Sequence, residues 1–320
     1  MAEVSVGIIG SQFERHCLYL QKELVRQGAQ AFILDNSPDV PYPLSFGGED
    51  SHYENRDLSE TNVYFLRALF VPTPAFDTSQ IKEQIKENGF LAYAAERERY
   101  AAWLSWLKSS SYFGRLIVNP VDTLLIHFAK TYHLECLRRA GIPVPKTLVT
   151  SNPEKVLEFS HNCDVIYKPV AGGALCRLLT EEDKKPERLE ALSTAPVQFQ
   201  EYIQGQDVRV FVLDRKVIAS FIIEGEGIDY REGAHQVKPF EITPEIAQLC
   251  IEACETLGLI FSGIDLKLRP DGSVICIECN PSPMFEGFDR VAPVSIVSQL
   301  ASYLIKQAIL KEENKLKVRN

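Results

Sequence analysis

Ser262-Gly-Ile-Asp265-Leu-Lys-Leu-Arg269-Pro-Asp271-Gly-Ser-Val274-Ile-Cys-Ile-Glu278-Cys-Asn280 is the stretch on which the reading of this 320-residue chain turns. Two apolar alternating runs, Ser262–Leu268 and Val274–Asn280, are interrupted by Pro270-Asp271-Gly272. Proline fixes φ and glycine supplies φ > 0, so the stretch predicts a β-hairpin. A loop of two or four residues would pair Arg269 with Val274 and set Asp265 directly opposite Glu278, with Asn280 on the same face. A three-residue loop would send the two acids to opposite faces. Facing carboxylates repel and raise each other's pKa unless a cation lies between them. Oxygen ligands of this kind suit a hard ion, Mg²⁺ or Mn²⁺. Taken alone, the stretch fits a solvated hairpin face equally well.

The bulk composition narrows the class. A chain of 320 residues can bury a large core and points to two domains. Apolar content of 45% with 24% charged residues is that of a water-exposed globular protein. A formal charge of −9 argues against a nucleic-acid surface. No apolar run approaches the roughly 18 residues of a membrane span. The start, Met-Ala-Glu-Val-Ser, lacks the basic and apolar regions of a signal peptide, which points to the cytoplasm. Of eight cysteines, Cys250 and Cys254 fall on the apolar face of a helix and read as core residues. Cys276 and Cys279, in a regular strand, would point to opposite faces. No second CxxC or histidine follows at zinc spacing.

Along the chain, Val4–Ile9, Phe13–Gln27 and Ala31–Leu34 predict β-α-β. The turn there is not G-x-G-x-x-G, so a dinucleotide-binding start is disfavoured. Asn36–Asp57 reads as irregular, followed by a strand near Val63–Phe70, a helix over about 79–109 and a strand at Leu116–Val118. A small α/β domain is thus expected over 1–118. A helix over Thr123–Ala140 is followed by Ile142-Pro-Val-Pro145, which forces extended chain. Strands are expected at Val165–Pro169, Val197–Ile203, Val208–Leu213 and Lys216–Ile223. Thr243 and Pro244 mark the N-cap and first turn of a helix over Pro244–Leu257, and a last helix spans about 294–310.

Several polar residues fall where chemistry could use them. Lys168 ends a strand beside the turn Pro169-Val-Ala-Gly172-Gly173, an arrangement that brings a fixed charge and free N–H groups to a phosphate. Lys130 is a second cation, on the helix before Gly141–Pro145. Gln200-Glu201-Tyr202-Ile203 closes a strand where backbone groups could read an adenine edge, and Asp207 could take ribose hydroxyls. Arg209 and Arg231 could neutralise a transferring phosphoryl group. Each of these residues, by itself, fits an ordinary surface position as well. No histidine has a serine or cysteine partner in a triad pattern, which fits phosphoryl transfer without a protein nucleophile.

Together these segments resemble the ATP-grasp superfamily and, within it, the RimK-like carboxylate–amine ligases, over about 119–307. Asn119 to Lys130 and Leu137 through Thr147 resemble the first helix and its ATP lysine; Val165-Ile-Tyr-Lys168 resembles the strand with the second. Gln200-Glu-Tyr-Ile203 looks like the adenine hinge, Asp207 like the ribose position, and Asp229-Tyr-Arg231 like the step whose arginine meets phosphates. Gly263-Ile-Asp265 with Glu278-Cys-Asn280-Pro-Ser-Pro-Met-Phe-Glu-Gly287 looks like the magnesium signature.

The resemblance implies an α+β, ATP-grasp fold over 119–320. Within it, 119–199 would form a smaller lysine and lid subdomain and 200–320 the metal-binding one, after the 1–118 pre-ATP-grasp domain. It implies Mg²⁺ (or Mn²⁺) on Asp265, Glu278 and Asn280, and ATP on Lys130, Lys168, Gln200, Glu201, Tyr202, Ile203, Asp207 and Arg231. Arg231 and Arg209 would steady the transferring group. The reaction implied is amide formation between a small-molecule or peptide carboxylate and an amine, through an acyl phosphate, with no nucleic-acid or membrane partner and a homo-oligomer left open. An ATP-binding protein or kinase of the same fold is the alternative. Departures from the family pattern are a short lid between Lys168 and Gln200, Gly233 where an asparagine is usual, and Met284 where a glycine is usual.

Overall fold

The computed structural model describes the backbone of residues 4–37, 42–48, 50–69, 79–171, 175–225, 227–228 and 233–319. Its contacts divide into two units, residues 1–121, 284–286 and 295–320 in the first and 122–283 and 287–294 in the second.

The first unit opens with β1 (Ser5–Gly10), α1 (Arg15–Arg26) and β2 (Gln30–Asp35), close to expectation. Asn36–Asp57, expected to be irregular, contains a three-stranded antiparallel meander of β3 (Leu44–Gly47), β4 (Asp50–Tyr53) and β5 (Arg56–Asp57). Such short strands carry too few residues for alternation to show against a Pro- and Gly-rich background. Then come β6 (Val63–Leu66), α2 (Ser79–Tyr112) and β7 (Leu116–Val118), which complete a parallel sheet in the order β2-β1-β6-β7.

The second unit contains α3 (Leu124–Phe128) and α4 (Lys130–Arg139), separated at Ala129 where one continuous helix was expected. They are followed by β8 (Thr147–Thr150), α5 (Pro153–Phe159), β9 (Val165–Pro169), β10 (Arg177–Leu178), α6 (Pro186–Leu189) and β11 (Val197–Glu201). The sheet formed here has the order β10-β9-β11-β8. A second sheet, β14-β13-β12-β15-β16, is built from β12 (Gln206–Leu213), β13 (Lys216–Gly225), β14 (His235–Pro239), β15 (Phe261–Leu268) and β16 (Val274–Asn280). The helix α7 (Pro244–Leu257) matches its expected span. The Thr243 hydroxyl caps Ile246 N–H, Pro244 takes the first turn, and Gly258 ends the helix at φ +68°.

After the short α8 (Glu286–Asp289), the last helix, α9 (Ile296–Arg319), packs on α1, β1 and β6. It therefore sits in the first unit rather than with β15 and β16. Phe285 is also buried in the first unit, edge-on to His16 with ring centroids 4.8 Å apart.

Among the described residues, no helix is long and apolar enough to cross a membrane. All eight cysteines are free thiols.

Candidate functional site

The five-stranded sheet of the second unit has two unlike faces. One turns Val208, Val210, Ile264, Leu266, Cys276 and Cys279 into an apolar core shared with Leu137 of α4 and Cys250 and Ala253 of α7. Burial pushes the Cys250 and Cys254 thiols up, so they stay protonated as core side chains. The other face carries the charged residues.

The hairpin forms, but with a different loop from the expected one. Leu268 pairs with Val274, which leaves a five-residue connection, 269–273. In a regular ladder that odd count would put Ile277 opposite Asp265 and turn Glu278 toward the core. Instead the register shifts after Leu266↔Cys276, Ile277 is accommodated as an extra residue, and Asp265 pairs with Glu278. The expected facing of the two acids therefore holds, while the even loop does not. The same bulge overturns the expectation for the CxxC. Cys276 and Cys279 share the core face, with their sulfurs 3.8 Å apart.

Charge alternates across the polar face. Lys267 meets Asp207 at 2.8 Å, across a register pair. Arg209, paired with Asp265, brings Nε within 2.7 Å of Oδ1, and its Nη2 donates to Oδ2 at 3.1 Å. Lys130, at the head of α4, donates to both Glu278 oxygens at 3.1 and 3.0 Å. Burial pushes the Asp265 carboxyl up to about 6; Arg209 opposes the rise, and Glu278 and Asp207 add to it.

Two features hold Arg209 in place. The Phe288 ring centre lies 5.4 Å from its guanidinium carbon. Gly263 leaves room for it, since a Cβ there would fall 2.7 Å from Arg209 Nη1 and 2.6 Å from Pro283 Cβ. Asn280 follows Glu278 on the same face, and its Oδ1 accepts the Ser282 N–H at 2.9 Å.

The four-stranded sheet carries the other lysine. Lys168 Nζ donates to Gln200 Oε1 at 3.2 Å, and Gln200 Nε2 donates to Thr147 Oγ1 at 3.0 Å. In the stretch expected to meet the adenine, the N–H groups of Glu201 and Tyr202 are already spent on Lys146 O and Asp164 O, at 2.9 and 2.8 Å. A ligand edge there would meet the carbonyls or the chain from Ile203 onward. A polar cleft of about 440 Å³ opens between Tyr202, Gln204 and Asp164 on one side and Arg269, Pro270 and Asp271 on the other. It borders the end of β11 and the hairpin turn, but its lining does not include Asp265, Glu278, Lys130 or Lys168.

Arg231, Gly172 and Gly173 lie outside the described residues. Lys267 was missed in the sequence, although its position two residues after Asp265 puts it on the same face by strand alternation. Gln198 and Thr147, which flank Lys168 and Gln200, were missed as well.

Among the described residues, no three Asp, Glu, His or Cys side chains form a complete cation cage. The residues present nevertheless fit Mg²⁺. This ion usually binds through one or two carboxylates together with substrate phosphates, keeping several waters. Asp265 and Glu278 supply two facing carboxylates, with an amide oxygen two residues on.

Comparisons with known proteins bear on the family. The RimK-like ATP-grasp domain matches residues 129–304. The chain is 30% identical over 208 residues to a probable alpha-L-glutamate ligase of Coxiella burnetii, a match covering 61% of this chain and 69% of that one. It is 27% identical over 195 residues to probable alpha-L-glutamate ligase 1 of Shewanella sp. (strain MR-4), covering 57% of this chain but only 64% of that relative, under two thirds of its length. Among solved structures it is similar to the ATP-grasp ligase PsnB complexed with a phosphomimetic variant of its minimal precursor, Mg and ADP. The TM-score is 0.87 at 32% identity, over 96% of this chain and 99% of that one. The matched domain takes in Lys130, Lys168 and the Asp265–Glu278 hairpin, and the chain belongs to the RimK-like ATP-grasp family.

Proposed function

We propose that this chain is an ATP-dependent ligase that joins a carboxylate to an amine. The observation that carries this reading is the polar sheet face, where Asp265 faces Glu278 and each acid is held by a cation, Arg209 and Lys130. Asp265, Glu278 and Asn280 would hold Mg²⁺, which when bound supplies positive charge against the nucleotide phosphates. Lys130 and Lys168 add fixed charge there, and Arg209, with Arg231, steadies the phosphoryl group in transfer. Gln200 to Ile203 would receive the base and Asp207 the ribose.

The carboxylate takes the γ-phosphoryl group to form an acyl phosphate. The amine then displaces phosphate and leaves the amide, and the site must exclude water meanwhile. The likeness to PsnB, whose structures include one with precursor peptide PsnA2, favours a peptide as one substrate. We place the protein in the cytoplasm, where eight free thiols would persist.

The test is ADP release with Mg²⁺ and ATP across a panel of amino acids and short peptides, with mass spectrometry of the products. A carboxylate–amine pair should stimulate release and yield a product one water lighter than the pair. Glu278→Gln should abolish release while the unfolding midpoint stays near that of the parent. Release that no such pair stimulates, or that survives Glu278→Gln unchanged, would overturn the proposal.

A further inference from the structure

Gln198 lies in the middle of β11, fully buried, and neither its Oε1 nor its Nε2 has a hydrogen-bond partner. Buried amides are almost always bonded, because the water they lose must be replaced. Register fixes which way this one points. Val197 and Phe199 turn into the apolar core of the smaller sheet, so Gln198 and Gln200 share the opposite face. Gln198 stands directly across from Lys168 on β9 and Val149 on β8, whereas Gln200 stands across from Ile166 and Thr147. Gln200, the first residue of the base-binding stretch, has both amide groups engaged, by Lys168 and Thr147. Gln198 lies before that stretch, level with the lysine itself.

We propose that Gln198 is a nucleotide-binding residue that contacts phosphate. Its Nε2 donates to a phosphate oxygen, and its Oε1 accepts from Lys168 Nζ, an ammonium with three N–H donors. This inference rests on the ATP-binding reading above. A phosphate oxygen is an acceptor only, so it satisfies the Nε2 donor and leaves Oε1 to the cation across the strand. Both orphaned groups are thereby paired with chemistry that this face would already gather. The base is assigned to Gln200–Ile203, which begins two residues farther along the chain, so Gln198 falls to the phosphates rather than to a base edge.

The test is calorimetric titration of the full chain with ADP and Mg²⁺, alongside thermal unfolding without ligand. Gln198→Met fills a similar volume and makes no hydrogen bond. It should leave the ligand-free midpoint unchanged or raised, because an unpaired amide is gone, while ADP affinity falls at least about tenfold. Gln198→Glu, which sets a second anion against the phosphate, should weaken ADP further than Gln198→Met does. A folded Gln198→Met that binds ADP as the parent does would overturn the proposal and leave ATP binding intact. A Gln198→Met that unfolds without ligand would overturn it too, by showing that the amide is already satisfied within the fold. A parent chain that binds no ADP would remove both readings together.

Discussion

Arg209 stands directly opposite Asp265 on the neighbouring antiparallel strand, and its guanidinium meets that carboxylate at 2.7 Å. The arginine is 9% exposed and the aspartate 29%, so the pair is shielded on one side only. Even with this partner the Asp265 carboxyl sits near 6, above its ordinary range.

Arg209→Met should therefore destabilise the ligand-free protein in a pH-dependent way. Asp265 already binds its proton more tightly in the folded state than in the unfolded one, and losing the arginine tightens it further. The cost is present above the folded pKa and is relieved as pH falls through it. We expect a loss of about 2 kcal/mol at pH 7.5, discounted for the exposed part of Asp265, and less at pH 5. Urea unfolding of parent and variant at the two pH values checks this; a loss that grows on acidification would contradict it.

Lys130→Met removes the ammonium that bonds both oxygens of Glu278. In its proposed role this charge offsets the nucleotide phosphates, so ADP formation should fall by about a hundredfold or more. Stability should drop by no more than about 1–2 kcal/mol, because both side chains retain some solvent. Single-turnover ADP release and a thermal melt separate the two effects.

Gly263→Ala would put a methyl group 2.6 Å from Pro283 Cβ and 2.7 Å from Arg209 Nη1. Overpacking of this kind costs about 1–3 kcal/mol. Because one of the displaced atoms belongs to Arg209, ADP formation should fall along with the urea midpoint. A variant with full turnover would show that Arg209 tolerates the shift.

Thr243→Ala removes the hydroxyl that caps Ile246 N–H at the start of α7. The helix packs on the apolar face of the sheet, away from the acids. A loss of about 1 kcal/mol in unfolding free energy is expected. The rate of ADP release at 25 °C should be unchanged.

The parts legible in the sequence were those with their own local physics. The helix over Pro244–Leu257 announced itself through Thr243, Pro244 and Gly258, each of which acts on the backbone within one turn. In the hairpin, the facing of Asp265 and Glu278 was legible only as what an even loop would give, and the structure reaches it with an odd loop and a bulge. The bulge was not legible, since an extra residue in an apolar run leaves no mark on composition. The meander over residues 44–57 and the strand Thr147–Thr150 were too short to show alternation. Gln198 shows a different limit. Val197-Gln-Phe-Gln200 alternates as a half-exposed strand would, yet both glutamines are buried. Alternation separates the two faces of a strand but does not reveal what lies over each.

The extra residue at Ile277 has a consequence for how this hairpin can change over evolution. It works as a parity adapter: turn length and acid alignment become separate variables, because a one-residue change in the turn can be absorbed by gaining or losing the bulge. Deleting Ile277 would let Glu278 follow Cys276 directly, still opposite Asp265, with Cys279 still facing inward. Turns of different length can thus be tried at the tip while the two carboxylates remain aligned.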